Sequence, residues 1–463
     1  MSPAFILFVI INLIELPCES KAFLSPSEID SALLPDYGFG WQVAISNGTA
    51  LVGSMAAGAY DTSTDQQLSP DVGSARVFTR TDSTSALWSQ QALLIADDGN
   101  GPYRGYATAL DGDTALVGLY STSDCFARAA FFFRSADVWD SGTVFTLEET
   151  TCDVRGFVPR VAIDGDTAVI SLWNNGFYIT GKAWVFARNA AGGWSQEAVL
   201  VDVDGGDGDR FGDSVAISGN TVIVGASQRM AAPGKVYVYT RSGVTWSQEA
   251  MIHPQGSTLA DNALGYGWDV ALDGDTLLVG CAAGGEFAPS GEYIEGFVDV
   301  YTRSSGVWTL QTQLYANFGQ SPDGFGRSVS LKGDRALVGA HKENDWNGAA
   351  YLFERSGGSW EQVKKVDGEG VNSYGMEFGN RVALDVDGTA LIAADGGVSF
   401  DQVGFVFVYD DFTVVPVSLI FNYFIDFVAQ SLKIPPLTFI LYNDPPTPSF
   451  EQVVTSLLQC HLH

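Results

Sequence analysis

The stretch FGDSVAISGNTVIVGA, residues 211–226, recurs along the chain and decides its fold. It joins an aromatic-glycine pair to a short apolar run, a small polar turn and a second apolar run that closes on glycine. Close copies read FGWQVAISNGTALVG from Phe39, YGWDVALDGDTLLVG from Tyr266 and FGRSVSLKGDRALVGA from Phe325. Looser copies read RGYATALDGDTALVG from Arg104, FVPRVAIDGDTAVIS from Phe157 and FGNRVALDVDGTALIAA from Phe378. The closing positions Gly53, Gly118, Ser171, Gly225, Gly280, Gly339 and Ala393 are separated by 65, 53, 54, 55, 59 and 54 residues. Seven copies at a near-constant period mark a repeat architecture.

Each period carries two further landmarks. A glycine-led run recurs as GSARVFTR (73–80), GKAWVFAR (181–188), GKVYVYTR (234–241), GFVDVYTR (296–303), GAAYLFER (348–355) and GFVFVYDD (404–411). A segment led by Trp88, Trp194, Trp246, Trp308 or Trp360 follows after a tight turn. Every period thus holds four short runs rich in β-branched and aromatic residues, punctuated by SG, DGD or GG turns, which is a strand and hairpin pattern. The first two runs are apolar without alternation, as in strands buried on both faces, and the later ones alternate. Seven four-stranded units of this length predict an all-β, seven-bladed β-propeller, in which radial packing buries each sheet between two neighbours. The seventh copy has no Trp-led fourth run. Ile29–Leu34 is expected to supply it, closing the ring as an N-terminal strand against 404–410.

These motifs resemble the FG-GAP repeats of integrin α-subunit propellers, and more closely those of secreted microbial and algal proteins. The resemblance covers about residues 37–411. It implies an extracellular propeller engaged in adhesion or ligand binding. Integrin-type repeats often carry an Asp-rich calcium loop between the first two strands. Here that place holds only a turn, Asp111-Gly112-Asp113, Asp164-Gly165-Asp166 or Asp273-Gly274-Asp275, which is too tight for the six to eight oxygens calcium takes. Turn backbone geometry accounts for those residues.

Charge narrows the partners. With 24 Lys+Arg against 54 Asp+Glu, the formal net charge is −30, which excludes nucleic acid as a natural partner. The apolar run Phe5–Ile14, followed by Ser20 and Ala22, reads as a secretory signal over residues 1–22, leaving 23–411 as the propeller. The tail 412–463 is apolar and proline-rich, and it stands as either a membrane anchor or a stretch foreign to the fold.

The inter-blade link and the link from second to third strand open on one face of such a ring. Ser54–Val72, Ala282–Glu295, His341–Asn347 and Asp395–Val403 are the long links of this kind, so that face is the expected binding face. Just inside each first strand, Trp41, Tyr106, Pro159, Asp213, Trp268, Arg327 and Asn380 form a column at the channel mouth. Aromatic rings with a few polar groups suit a sugar or peptide, and inter-blade packing explains them as well. Of these, Trp41, Tyr106, Asp213, Trp268 and Arg327 are the candidate ligand-binding residues. Asp202, Asp204, Asp207 and Asp209 form an acidic inter-blade link, the candidate calcium site or a solvated loop. Cys125 and Cys152 are expected on the same face as a disulfide, and Asn47 heads a glycosylation sequon in a hairpin turn. No catalytic motif emerges. The expected function is a monomeric extracellular binding or adhesion module for a protein or glycan ligand. The alternatives are a secreted carbohydrate-active enzyme, with Asp213 as a mouth carboxylate, or a membrane-anchored integrin-like receptor.

Overall fold

The computed structural model describes residues 22–24, 37–61, 66–80, 88–96, 103–121, 126–140, 142–147, 158–173, 181–202, 209–227, 233–254, 265–282, 296–316, 324–368, 377–394 and 404–409. These residues form seven antiparallel sheets in sequence order, apart from one four-residue helical turn. Each inner strand packs against the next, and the last, Arg381–Leu384, packs against the first, Tyr37–Ser46, so the sheets form a closed ring of seven blades.

Blade 4 shows the plan. Phe211–Ser218, Thr221–Ala226, Lys235–Ser242 and Thr245–Ile252 pair in that order from the axis outward. Every residue of Thr221–Ala226 is buried, whereas in Thr245–Ile252 only Ile252 is. That gradient is the reason inner runs are uniformly apolar and outer runs alternate. The cores lie between blades. Val222, Val224 and Tyr237 of blade 4 pack with Val169, Val185 and Leu200 of blade 3, and no blade buries its faces alone.

The FG pair has two structural duties. Its glycine takes φ of +83° at Gly40, +93° at Gly212 and +85° at Gly326, and the ladder slips register there, as in a bulge. Its aromatic residue is buried between blades, and the aromatic carbonyl lies against the glycine that leads the third strand of the preceding blade. Gly234 meets Tyr266 in this way, Gly296 meets Phe325, and Gly404 of blade 7 meets Phe39 of blade 1. A Cβ on any of these glycines would fall well inside van der Waals contact with that carbonyl. The repeat signature is therefore an inter-blade joint.

Two regions differ from the sequence expectation. The outer position of blade 7 is taken by Ala22–Leu24, which pairs with Phe405–Tyr409 in the register Ala22↔Val408 and Leu24↔Val406. Ile29–Leu34, assigned that place from sequence, lies outside the described residues. The link Ser54–Val72 is mostly not a loop, because Thr49–Asp61 and Gln66–Arg80 continue their ladder out to the pair Asp61↔Gln66. Extending an existing hairpin adds ladder bonds without a new chain crossing. The segments 1–21 and 410–463 also lie outside the described residues.

Candidate functional site

The two ends of the ring use their side chains differently. At the hairpin-turn end, the residue closing each inner strand accepts a hydrogen bond from the turn of the next blade. Gly112 N–H donates to Ser46 Oγ (3.1 Å), Gly165 N–H to Asp111 Oδ2 (2.7 Å), Gly219 N–H to Asp164 Oδ2 (2.5 Å) and Gly333 N–H to Asp273 Oδ2 (2.6 Å). Asn47 and Gly48 N–H both donate to Asp385 across the seam from blade 7 to blade 1, at 3.2 and 2.8 Å. Between blades 6 and 7 the acceptor position holds Lys332, and Val386 N–H bonds Asp385 Oδ1 of its own turn (2.7 Å). There Ser328 and Ser330 accept from Val382 and Leu384 N–H instead.

The second acid of the turn anchors an arginine belt. Arg303 Nε donates to Asp275 (2.7 Å), its Nη1 to Thr221 of the preceding blade (2.8 Å), and its guanidinium stacks 5.1 Å from the Trp308 ring. Arg134 and Arg355 repeat this with Asp113, Thr49 and Trp139, and with Asp334, Thr276 and Trp360. Turn geometry alone, the account given from sequence, is thus incomplete. The DGDT residues are the ring's fasteners, and Asn47 sits exposed among them.

At the opposite end, a backbone turn lifts the residue after each FG out of the ladder. Asp213 N–H bonds Arg210 O, Trp268 N–H bonds Gly265 O, Arg327 N–H bonds Gly324 O and Asn380 N–H bonds Glu377 O. Three members of the predicted column come together: the Arg327 guanidinium lies 4.5 Å from the Trp268 ring, and its Nε donates to Asn380 Oδ1 at 2.9 Å. Asp213 is buried, 1 % exposed, with its carboxylate bonded by Ser227 Oγ and its carbonyl by Arg160 Nε (3.0 Å). Pro159 is buried against Gly118 of blade 2, and Trp41 is half-buried. The strand around Tyr106 is described, but its side chain is not.

One position further along the same strands stand Arg160, Asp269 and Arg381, which sequence reasoning passed over. The signal was available, because the repeats place three charges, Arg160, Asp269 and Arg381, at one inner-strand register, directly before the apolar run of each strand. Asp269 accepts Val329 N–H (2.8 Å), and burial, opposed by Arg381, raises its pKa. Burial, then Arg327 and Arg160, press the Arg381 pKa well below its usual value.

The link 341–347 expected on this face forms a strained turn. Asn344, Asp345 and Trp346 all have positive φ, +49°, +57° and +71°, the left-handed region that side chains disfavour. Buried Glu343 anchors it through Tyr351 Oη and Lys365 Nζ, both at 2.5 Å, and Trp346 is left 43 % exposed under Lys342.

Of the predicted acidic link, Asp202 and Asp209 are described, and both face Lys235 Nζ, at 3.7 and 2.8 Å. An ammonium supplies the positive charge there, so these two carboxylates do not by themselves fit a calcium site. Asp204 and Asp207 lie outside the described residues, as do Cys125 and Cys152. No cluster of three or more metal-binding side chains occurs among the described residues.

A ring of seven four-stranded sheets joined by FG-to-glycine contacts is a seven-bladed β-propeller. A family model described as FG-GAP repeat matches residues 194–239 and 308–353, so the chain carries FG-GAP repeats within its propeller. Each match runs from the outer strand of one blade through the third strand of the next, so one sequence repeat spans two blades. No curated protein sequence matches the chain. Among solved structures it is similar to a prolyl endopeptidase, with TM-score 0.47 and 12 % identity over 89 % of this chain and 52 % of that one. It is also similar to the Myceliophteria thermophila Cps50 (Swd1) β-propeller domain, with TM-score 0.47 and 9 % identity over 85 % of this chain and 99 % of that one. The chain spans about half the length of the endopeptidase.

Proposed function

We propose that this propeller is an extracellular binding module that docks a protein or glycan ligand on the end opposite its hairpin turns. One observation carries this: the turn at that end leaves the Trp346 ring 43 % exposed under Lys342 (5.0 Å), on the same end as the Arg210–Trp173 (4.7 Å) and Arg327–Trp268 (4.5 Å) pairs. Arg134, Arg303 and Arg355 of the turn end are instead tied by an Asp and by a Thr of the preceding blade. Planar rings beside cations are suited to sugar faces and to acidic or aromatic side chains. The strained turn that exposes Trp346 supports the same assignment, since such strain gathers at functional segments. Asp213, which an enzymatic function would use, is buried and held by Ser227, so that alternative gains nothing from it.

Full-length protein applied to an array of glycans and matrix proteins tests the proposal. Binding without turnover is expected, reduced at least tenfold by Trp346→Ala and by Arg327→Ala. Binding unaffected by either change would place the ligand elsewhere.

A further inference from the structure

Arg160 and Arg381 stand on blades 3 and 7, which lie on opposite sides of the ring. Arg381 is 7 % exposed, and among the described residues its guanidinium bonds only its neighbour Asn380, at the carbonyl (2.8 Å) and at Oδ1 (3.5 Å). Arg160 gives Nε to the Asp213 carbonyl, while its Nη1 is buried with no hydrogen-bond partner. Neither guanidinium has a carboxylate within ion-pair distance among the described residues. The nearby acids Asp213 and Asp269 make their hydrogen bonds to Ser227 and Val329 N–H and act on the guanidinium groups only at longer range. A guanidinium stays protonated in proteins, so the depressed Arg381 pKa registers a charge buried beside Arg327 and Arg160 that Asp269 and Asp213 offset only in part. Burying a charge without a partner is strongly unfavourable, and a fork of N–H donors matches the geometry of a planar or tetrahedral oxyanion.

We propose that the mouth end of the ring is an oxyanion site, in which Arg160 and Arg381 take a carboxylate or sulfate group carried by the ligand. The inference rests on the binding-module assignment and adds the chemistry that the ligand must present. The acidic exterior opposes an approaching anion only weakly, because surface charges are screened over roughly 8 Å at physiological ionic strength whereas a buried pair is screened much less. Arg327, stacked on Trp268 beside the same cluster, adds a third positive charge to the approach.

The test uses the full chain with two probes, inorganic sulfate as a free anion and trigalacturonate as a carboxylate on a saccharide. Thermal melts and titration calorimetry are run against chloride at matched ionic strength. Wild type is expected to show saturable stabilisation, roughly 2 °C at tenfold excess over Kd for a domain of this size. Tighter binding of trigalacturonate than of sulfate would place the anion on a ligand, and the reverse would place a free ion there; both support the site. Arg160→Met with Arg381→Met should abolish the response while raising the melting temperature in chloride. Should that variant not fold, Arg381→Lys, which keeps the charge and loses the fork, should weaken binding at least tenfold. No saturable response in wild type, or an unchanged one in either variant, overturns the oxyanion site. A positive array result beside such a failure would leave the binding module standing without it.

Discussion

The turn end and the mouth end of the ring are built on the same strands, yet they treat repetition in opposite ways. At the turn end one arrangement recurs: an acid or serine accepting from the next turn, and an arginine reaching back to the previous blade's threonine. Its residues are alike from blade to blade because each seam poses the same problem of joining two sheets. At the mouth end the corresponding positions are Trp41, Tyr106, Pro159, Asp213, Trp268, Arg327 and Asn380, and no two adjacent blades agree. The glycines beside them hold the blades together, which frees the side chains to differ. In a repeat ring, sameness marks the fasteners and difference marks the candidate for function.

The largest effect should come from breaking a fastener at the seam. Asp385 is 3 % exposed and accepts from both Asn47 and Gly48, so Asp385→Ala strips two amides of a charged acceptor where the ring closes. A loss of about 2–3 kcal/mol is expected, read as a lower urea midpoint with an unchanged slope. Arg381→Met, at the mouth end of the strand that leads to Asp385, should be neutral or stabilising, because it removes a buried charge that Arg327 and Arg160 repel and that Asp269 and Asp213 offset only in part. Equal losses from both would end the distinction between the two ends.

The ring was legible in the sequence because its signal is carried by backbone requirements that repeat. Glycine where a carbonyl presses in, glycine where φ is positive, and apolar runs between blades recur in most of the seven copies, so the period shows even where one letter changes, as at Ser171 or Ala393. What the DGDT turn does was not legible. Asp111 bonds Gly165, 54 residues away, and no single period shows that contact. Trp139 escaped for a different reason: it follows Arg134 by five residues, as Trp308 follows Arg303, but blade 2 splits its outer strand into Val138–Trp139 and Thr143–Thr146, so no continuous run follows the ring that stacks on Arg134. At the mouth, the column was found by register but its pairings were not, since Arg327 with Asn380 and Arg160 with Asp213 join blades through positions that share no motif.

A smaller effect should separate the ends by pH. His341 is 6 % exposed near the mouth, and burial, then Arg327, Lys342 and Arg381, lower its pKa well below the usual value. The folded ring therefore keeps it neutral, whereas the unfolded chain takes up a proton near pH 6.5. Its contribution is present above that pH and lost as pH falls, at up to about 1.4 kcal/mol per unit. Melting temperatures of wild type and His341→Gln should converge between pH 7 and 5 as wild type loses more. A constant difference across that range would show that His341 already titrates normally in the fold.

The smallest expected effect concerns calcium and the 202–209 link. Crowded carboxylates gain from a divalent ion only while nothing else neutralises them. Lys235 already places its ammonium 2.8 Å from Asp209 and 3.7 Å from Asp202, and it is anchored over the Tyr237 ring at 5.6 Å. A calcium ion there would have to displace this lysine or share its carboxylates, and either lowers its affinity. Closure does not depend on it, because the seams are apolar cores and hydrogen bonds. Adding millimolar calcium to wild type should thus move the melting temperature by no more than about 2 °C. Lys235→Met removes the competing charge, so it should lower stability in chelator and enlarge the calcium response. Asp204→Ala with Asp207→Ala then tells whether the link supplies further ligands, by cancelling that enlarged response. A wild-type protein that unfolds on chelation would mean that metal, rather than packing between blades, holds the ring.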